Sequence, residues 1–377
     1  MIRTTTTHDD ALEVAWRDGT GARFPWLWLR DHCSCPECLH PQTLQRLVDT
    51  FDLPAAPRPA NVAIRDGGQA IEIAWAAGGH VSTFRAAFLR DIIQGESAHE
   101  TRQLWTGAEL EDDLPAVDYQ AVMAGDDGLR AWLEAIARVG FCFVRGVPAE
   151  PEATRRLAER IGPPRSTIFG DLWDFTADLA HGDTAYTNLE VSLHTDGTYT
   201  LDPPGLQMFH CLHFDGSGAQ SILADGFRVA AELKRDDPAA FEVLSHVRVP
   251  GQYIEKGVHL RARHPIIGLD EKGNPRRICF NNHDRAAFLP QGVEVGVFYD
   301  ALRAFHRLLA DRARHLRFTL KPTEVLLFDN WRVLHARTAY TGRRRLAGCY
   351  LNREDFESRL RVLRANEGTA DKAACAH

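Results

Sequence analysis

Two short stretches far apart in the chain carry residues able to hold one metal ion. The first is Ser192-Leu193-His194-Thr195-Asp196-Gly197, where a His and an Asp two apart, at a strand end or in the loop after it, can aim an imidazole nitrogen and a carboxylate oxygen at one point. The second is Phe328-Asp329-Asn330-Trp331-Arg332-Val333-Leu334-His335, which offers a second imidazole. Two His and one carboxylate on one face of an octahedral ion leave the opposite face open, the ligand set of non-haem Fe(II) oxygenases. Arg344 follows shortly after His335, and a guanidinium there suits the far carboxylate of a chelating 2-oxoacid. The plain alternative is two core histidines with satisfied nitrogens and a surface Arg344.

A second cluster stands near the start. Cys33, Cys35 and Cys38 put three thiols on one tight turn. Thiolates so close repel one another unless a cation neutralises them, and tetrahedral Zn2+ with soft ligands is the usual solution. His80, at the start of a later strand, is the best fourth ligand, with His32 and His40 as rivals. A closed four-ligand site has no open position, so this zinc is expected to be structural. The alternative is three inert thiols.

The elements around these residues are short. Residues 12–24 read as a hairpin turning at Asp18-Gly19, and 61–64 and 70–75 as strands joined at Gly67-Gly68. Residues 1–100 are therefore expected to form a small β-rich domain pinned by metal because its core is thin. Residues 101–117 read as a linker, and 118–377 as a second domain. In that domain, helical spacing marks 129–138, ended by Gly140, and 151–161. Further helices are expected at 227–233, 239–244 and, as one long helix, 295–316. Strands are expected at 141–145, 206–212, 221–223, 277–280, 325–329 and 346–351, with 168–175 an aromatic-rich loop. Many short strands, distant ligands and no βαβ alternation argue a mainly β fold with flanking helices, as a double-stranded β-helix (jelly-roll).

The 377 residues are 44% hydrophobic and 25% charged, ordinary for a globular protein, with a formal charge of -7 and eight Cys. That charge leaves no basic footprint for nucleic acid, and no apolar run approaches the length of a membrane span. The polar start of the chain has neither an apolar signal core nor an Arg-rich leader, which gives a cytoplasmic expectation.

The chain resembles the γ-butyrobetaine and trimethyllysine hydroxylase family of Fe(II)- and 2-oxoglutarate-dependent oxygenases. The likeness runs over nearly the whole length: Trp28-Leu29-Arg30-Asp31 with Cys33, Cys35 and Cys38, Gly79-His80, His194-Thr195-Asp196, Asp329 to His335, and Ser358 to Leu363. It implies zinc on Cys33, Cys35, Cys38 and His80, and iron on His194, Asp196 and His335. It also implies 2-oxoglutarate on Arg344, with Ser221 as a second contact, and a homodimer. The implied reaction consumes O2 and 2-oxoglutarate, releases succinate and CO2, and hydroxylates an unactivated carbon.

The resemblance also implies an aromatic cage for a trimethylammonium group, which cannot donate hydrogen bonds and suits ring faces. The matching positions are Phe169, Trp173 and Tyr186, with Tyr199 nearby and Tyr350 opposite. Asp183, where the butyrobetaine branch tends to carry Asn, adds a carboxylate beside that cage and looks like the trimethyllysine branch. Asn282 and Arg285 are candidates for the substrate's acidic end, with His283 as a further donor. Three substrates follow: 2-(trimethylammonio)ethylphosphonate, placed first because His283 and Arg285 suit a dianion, then trimethyllysine and γ-butyrobetaine. A taurine-type sulfonate oxygenase without a cage, and a non-catalytic binding protein on the same fold, are the competing classes.

Overall fold

The computed structural model describes residues 1–94, 102–175 and 187–374. The chain divides into two compact units, Met1–Glu100 and Thr101–His377. In the first unit, Ile2–Thr7, Ala11–Trp16 and Gly21–Pro25 form one antiparallel sheet. Pro59–Arg65, Ala70–Trp75 and Val81–Arg85 form another. Strand alternation builds the core: Leu12, Val14 and Trp16 from one sheet and Ile71, Ile73 and Trp75 from the other are buried together. The hairpin Ala11–Trp16/Gly21–Pro25 turns where Asp18 accepts from the Thr20 N–H (3.0 Å).

The second unit is built on two sheets. The larger has strand order Ala116–Asp118, Phe141–Arg145, Glu324–Asp329, Leu206–Phe214, Arg344–Leu351, Trp173–Phe175. It is antiparallel except for its first pair. The smaller runs Val191–His194, Val333–Arg337, Ser221–Asp225, Leu316–Phe318, all antiparallel.

The two-residue period of a strand separates the faces of the larger sheet. Leu206, Met208, Val325, Leu327, Cys349 and Leu351 pack against helices Asp126–Val139, Pro151–Glu159 and Arg353–Ala374. Gln207, Phe209, Leu326, Phe328, Leu346 and Tyr350 point the other way and line a cavity with residues of the smaller sheet. Behind the smaller sheet, Ala224 and Leu334 pack on helices Gly226–Asp236, Pro238–His246 and Val295–Ala310. Among the described residues the core is two sheets between helical layers, with no closed barrel.

Three expectations change. The helix begun at Val295 stops at Ala310: the Asp311 carboxylate accepts the Ala313 N–H, a short turn follows, and Leu316–Phe318 pairs with Ser221–Leu223. The loop at 168–175 ends as an edge strand, Trp173–Phe175. Residues 102–117, read as a linker, are packed into the second unit. Trp105 is buried there, its indole N–H donates to the Val139 carbonyl, and Thr106 and Glu109 form a capping box.

Among the elements without a counterpart in the sequence reading is the hairpin Arg248–Glu255/Val258–Pro265. It turns at Gly257, whose φ is +83°. Its first strand joins the segment after Asn281, since Gln252 N–H donates to the Asp284 carbonyl and Ala286 N–H to the Pro250 carbonyl.

Candidate active site and metal centres

His194 ends its strand and faces His335 directly across the antiparallel register. Asp196 lies just beyond, on a loop fixed from two sides. Its N–H donates to the Asn330 side-chain oxygen (2.8 Å), and the Asn330 amide donates to the carbonyls of Asp196 (3.1 Å) and Pro204 (2.9 Å). Gly197 then takes φ +73°, and a Cβ there would stand 2.4 Å from Pro204 Cδ.

The donor atoms of His194, Asp196 and His335 all lie within 4.8 Å of one another. His194 Nε2 is 3.1 Å and His335 Nε2 3.8 Å from Asp196 Oδ1. Donors about 2.1 Å from an octahedral ion stand about 3.0 Å apart, so the set fits one ion after small adjustments. His194 Nδ1 is 2.7 Å from the Ser192 carbonyl, and donating there leaves the Nε2 lone pair for a metal. Burial, and then the neighbouring His194, push His335 down to about 3, so it is neutral near pH 7. Burial alone would raise Asp196, but His335, His194 and the Tyr350 hydroxyl outweigh it and hold the carboxyl well below its usual range. Tyr350 donates to Asp196 Oδ2 at 2.7 Å.

The open side of this triad faces a cavity of about 380 Å³. Arg344 and Ser221 line it. Burial, and then the adjacent Arg337, lower Arg344 to about 10, so it remains a cation near neutral pH. Its guanidinium lies 5.6 Å from the Tyr340 ring. Arg337, which the sequence reading passed over, lines the same cavity and donates to the carbonyls of Thr187 and Leu189. Two guanidinium groups suit the carboxylate of 2-oxoglutarate.

Of the expected cage, Phe169, Tyr199 and Tyr350 line the cavity. Tyr253, from the unforeseen hairpin, joins them, its ring 5.7 Å from Phe169 and 5.2 Å from Tyr199. Trp173 does not reach the cavity; it is buried behind Tyr350, with ring centroids 5.4 Å apart. It covers Gly348, where a Cβ would stand 1.9 Å from the indole. Asp183 and Tyr186 lie outside the described residues. Asn282 and Arg285 are also corrected: they border a different, smaller pocket, and Arg285 sits against Tyr299. Their neighbours Asn281, His283 and Asp284 line the main cavity instead. The cause is local: Asn281 Oδ1 accepts the His283 N–H, and this tight turn decides which side chains face inward.

In the first unit, His80 Nε2 lies 3.2, 3.8 and 3.6 Å from the sulfurs of Cys33, Cys35 and Cys38. Tetrahedral zinc with three Zn–S bonds of about 2.3 Å and one Zn–N of about 2.0 Å places N and S about 3.5 Å apart. The four donors fit that ion, and Glu37 lies 3.6 Å from the other His80 ring nitrogen.

A triad open to a cavity with a buried guanidinium defines a 2-oxoglutarate-dependent iron oxygenase. Residues 100–350 match the family described as taurine catabolism dioxygenase TauD, TfdA family, and residues 3–90 match the γ-butyrobetaine hydroxylase-like N-terminal family. The chain is 38% identical to a trimethyllysine dioxygenase of Meyerozyma guilliermondii, over 95% of each chain. It is also 38% identical to the mitochondrial trimethyllysine dioxygenase of Gallus gallus, over 94% of this chain and 87% of that one. A Burkholderia xenovorans structure described as a candidate alpha-ketoglutarate-dependent taurine dioxygenase shares the fold at TM-score 0.50 and 15% identity, over 67% of this chain and 91% of its own. The chain therefore belongs to the γ-butyrobetaine and trimethyllysine hydroxylase family of Fe(II)- and 2-oxoglutarate-dependent oxygenases. It is a dioxygenase that uses iron and 2-oxoglutarate and carries a cysteine-rich zinc-type site.

Proposed function

We propose that this enzyme hydroxylates Nε-trimethyllysine. The observation that carries the reading is Asp284. Its carboxylate borders the cavity, accepting from Asn281 Nδ2 (2.8 Å) and Thr198 Oγ1 (3.3 Å). A carboxylate there suits an α-ammonium and repels a phosphonate dianion. The phosphonate substrate favoured by sequence is accordingly set aside: of its two intended partners His283 lines the cavity but Arg285 is off it, and the relatives are named for trimethyllysine. γ-Butyrobetaine has no α-ammonium for Asp284 to meet.

In this reading His194, Asp196 and His335 hold the iron, and Arg344 with Ser221 anchors 2-oxoglutarate. When bound, the two supply the oxidising chemistry: 2-oxoglutarate is decarboxylated to succinate and CO2, and one oxygen atom of O2 is inserted into a C–H bond. The protein's own work is positioning. Asn330 fixes the main chain of Asp196, and Tyr350 donates to its carboxylate. Phe169, Tyr199, Tyr253 and Tyr350 offer ring faces to the quaternary ammonium. Asp284 takes the α-ammonium, and the carbon presented to the metal is set by the spacing between that contact and the ring faces. Cys33, Cys35, Cys38 and His80 hold a structural zinc. The two facing sheets are read as the halves of a jelly-roll, and the family resemblance supports a homodimer.

Succinate release with trimethyllysine, γ-butyrobetaine and 2-(trimethylammonio)ethylphosphonate tests the proposal. Trimethyllysine is expected to give the highest kcat/KM, and Asp284→Asn to lower it for trimethyllysine alone. Faster turnover of either competitor by the unaltered enzyme would contradict the reading.

A further inference from the structure

Gln207 stands in the strand Leu206–Phe214, on the large sheet's cavity face, directly opposite Tyr350 on one side and Phe328 on the other. It lines the cavity, yet the residue is 2% exposed and its Oε1 is buried with no hydrogen-bond partner. A buried carbonyl left without a partner is costly, whereas an apolar side chain of similar shape costs nothing there. Among the described residues, Tyr350 is engaged with Asp196, Asn330 with the Asp196 loop and Asp284 with Asn281. Gln207 therefore has no structural bond that accounts for its carboxamide.

The site around it narrows the ligand. Arg344 and Tyr350 are six residues apart on one strand, about 20 Å at strand rise, so Gln207 lies far from the guanidinium end of the cavity. It lies instead beside Tyr350, whose ring is backed by Trp173. A quaternary ammonium is surrounded by polarised methyl groups and donates no ordinary hydrogen bond. Its natural partners are ring faces and a carbonyl dipole approached through C–H groups. The terminal torsion of Gln is soft, so a cation in the cavity can turn the oxygen toward itself.

We propose that Gln207 is a substrate-contacting, specificity-determining residue whose carboxamide oxygen faces the methylated ammonium of the substrate. The inference rests on the trimethylammonium reading above and adds a polar member to an otherwise aromatic enclosure. It also has a consequence for methylation state. A dimethylammonium group keeps one N–H, which the Gln207 oxygen accepts as a true hydrogen bond. Loss of the oxygen therefore harms the dimethyl ligand more than the trimethyl one.

The test is anaerobic calorimetric titration of the full chain loaded with zinc, Mn(II) and 2-oxoglutarate, using Nε-trimethyllysine, Nε-dimethyllysine and γ-butyrobetaine. Gln207→Leu is expected to weaken trimethyllysine about fivefold and dimethyllysine about tenfold or more, with Tm unchanged or raised. Gln207→Met repeats the measurement in case the branched side chain disturbs the sheet. Unchanged trimethyllysine affinity in a folded variant, or an equal loss for both lysines, would overturn the proposal. If the unaltered protein binds γ-butyrobetaine and not trimethyllysine, the functional reading fails. The Gln207 contact is then judged on γ-butyrobetaine, where the same fivefold loss is expected and its absence overturns it.

Discussion

The two metal centres solve opposite problems. Around Cys33, Cys35, Cys38 and His80, four donors close on one point and leave no vacancy. Three of them come from a single turn, and the fourth from the residue just before the strand Val81–Arg85 of the same small unit. Around His194, Asp196 and His335, three donors gather on one side only, and the other side opens onto the cavity. The closed site contributes its binding energy to folding. The open site takes its geometry from the sheet register and from Asn330 and Tyr350, and keeps its vacant face for chemistry.

The contrast is sharpest under mutation. His335→Ala is expected to lower succinate release by at least about a thousandfold while leaving Tm within a few degrees. Turnover that survived would break the division of labour. Cys35→Ser should act the other way. Zinc content falls and the first unit loses its folded far-UV signal, because structural zinc contributes on the order of 10 kcal/mol in small domains. A Cys35→Ser protein with an intact first unit would mean the metal is incidental there.

Smaller effects probe the supports. Asn330→Ala releases the loop that carries Asp196 and is expected to weaken Fe(II) binding about 10- to 100-fold in anaerobic titration. The least effect concerns His210, buried on the helix side of the large sheet, with Nδ1 2.8 Å from Thr154 Oγ1. Burial lowers it to about 4. Its folded value lies below the unfolded one, so the unfolded chain binds the proton more readily as pH falls. The stability it confers is present above about pH 6.5 and is lost progressively toward pH 4. His210→Gln should flatten that acid loss in a Tm series; an unchanged slope would place the acid sensitivity elsewhere.

The difference between the centres also governed what could be read from sequence. Three thiols between positions 33 and 38 announce a metal by crowding alone, and His194 and Asp196 by their spacing. The cavity wall is another matter. Tyr253 reaches the site on a hairpin whose turn signal, Lys256-Gly257 between alternating strands, was there to be found. Gln207 faces the cavity only because its strand pairs with residues more than 100 positions away. Asn282 and Arg285 were chosen one place away from Asn281 and Asp284, because a tight turn has no simple period to say which side chains face inward.

The account depends most on one ion shared by side chains from residues 194, 196 and 335. Anomalous scattering at the iron edge, from crystals grown anaerobically with Fe(II), 2-oxoglutarate and trimethyllysine, measures this directly. The account predicts one iron peak at coordination distance from His194 Nε2, the Asp196 carboxylate and His335, with 2-oxoglutarate reaching Arg344. An iron peak elsewhere in the protein, with these three side chains turned away from any common point, would contradict it.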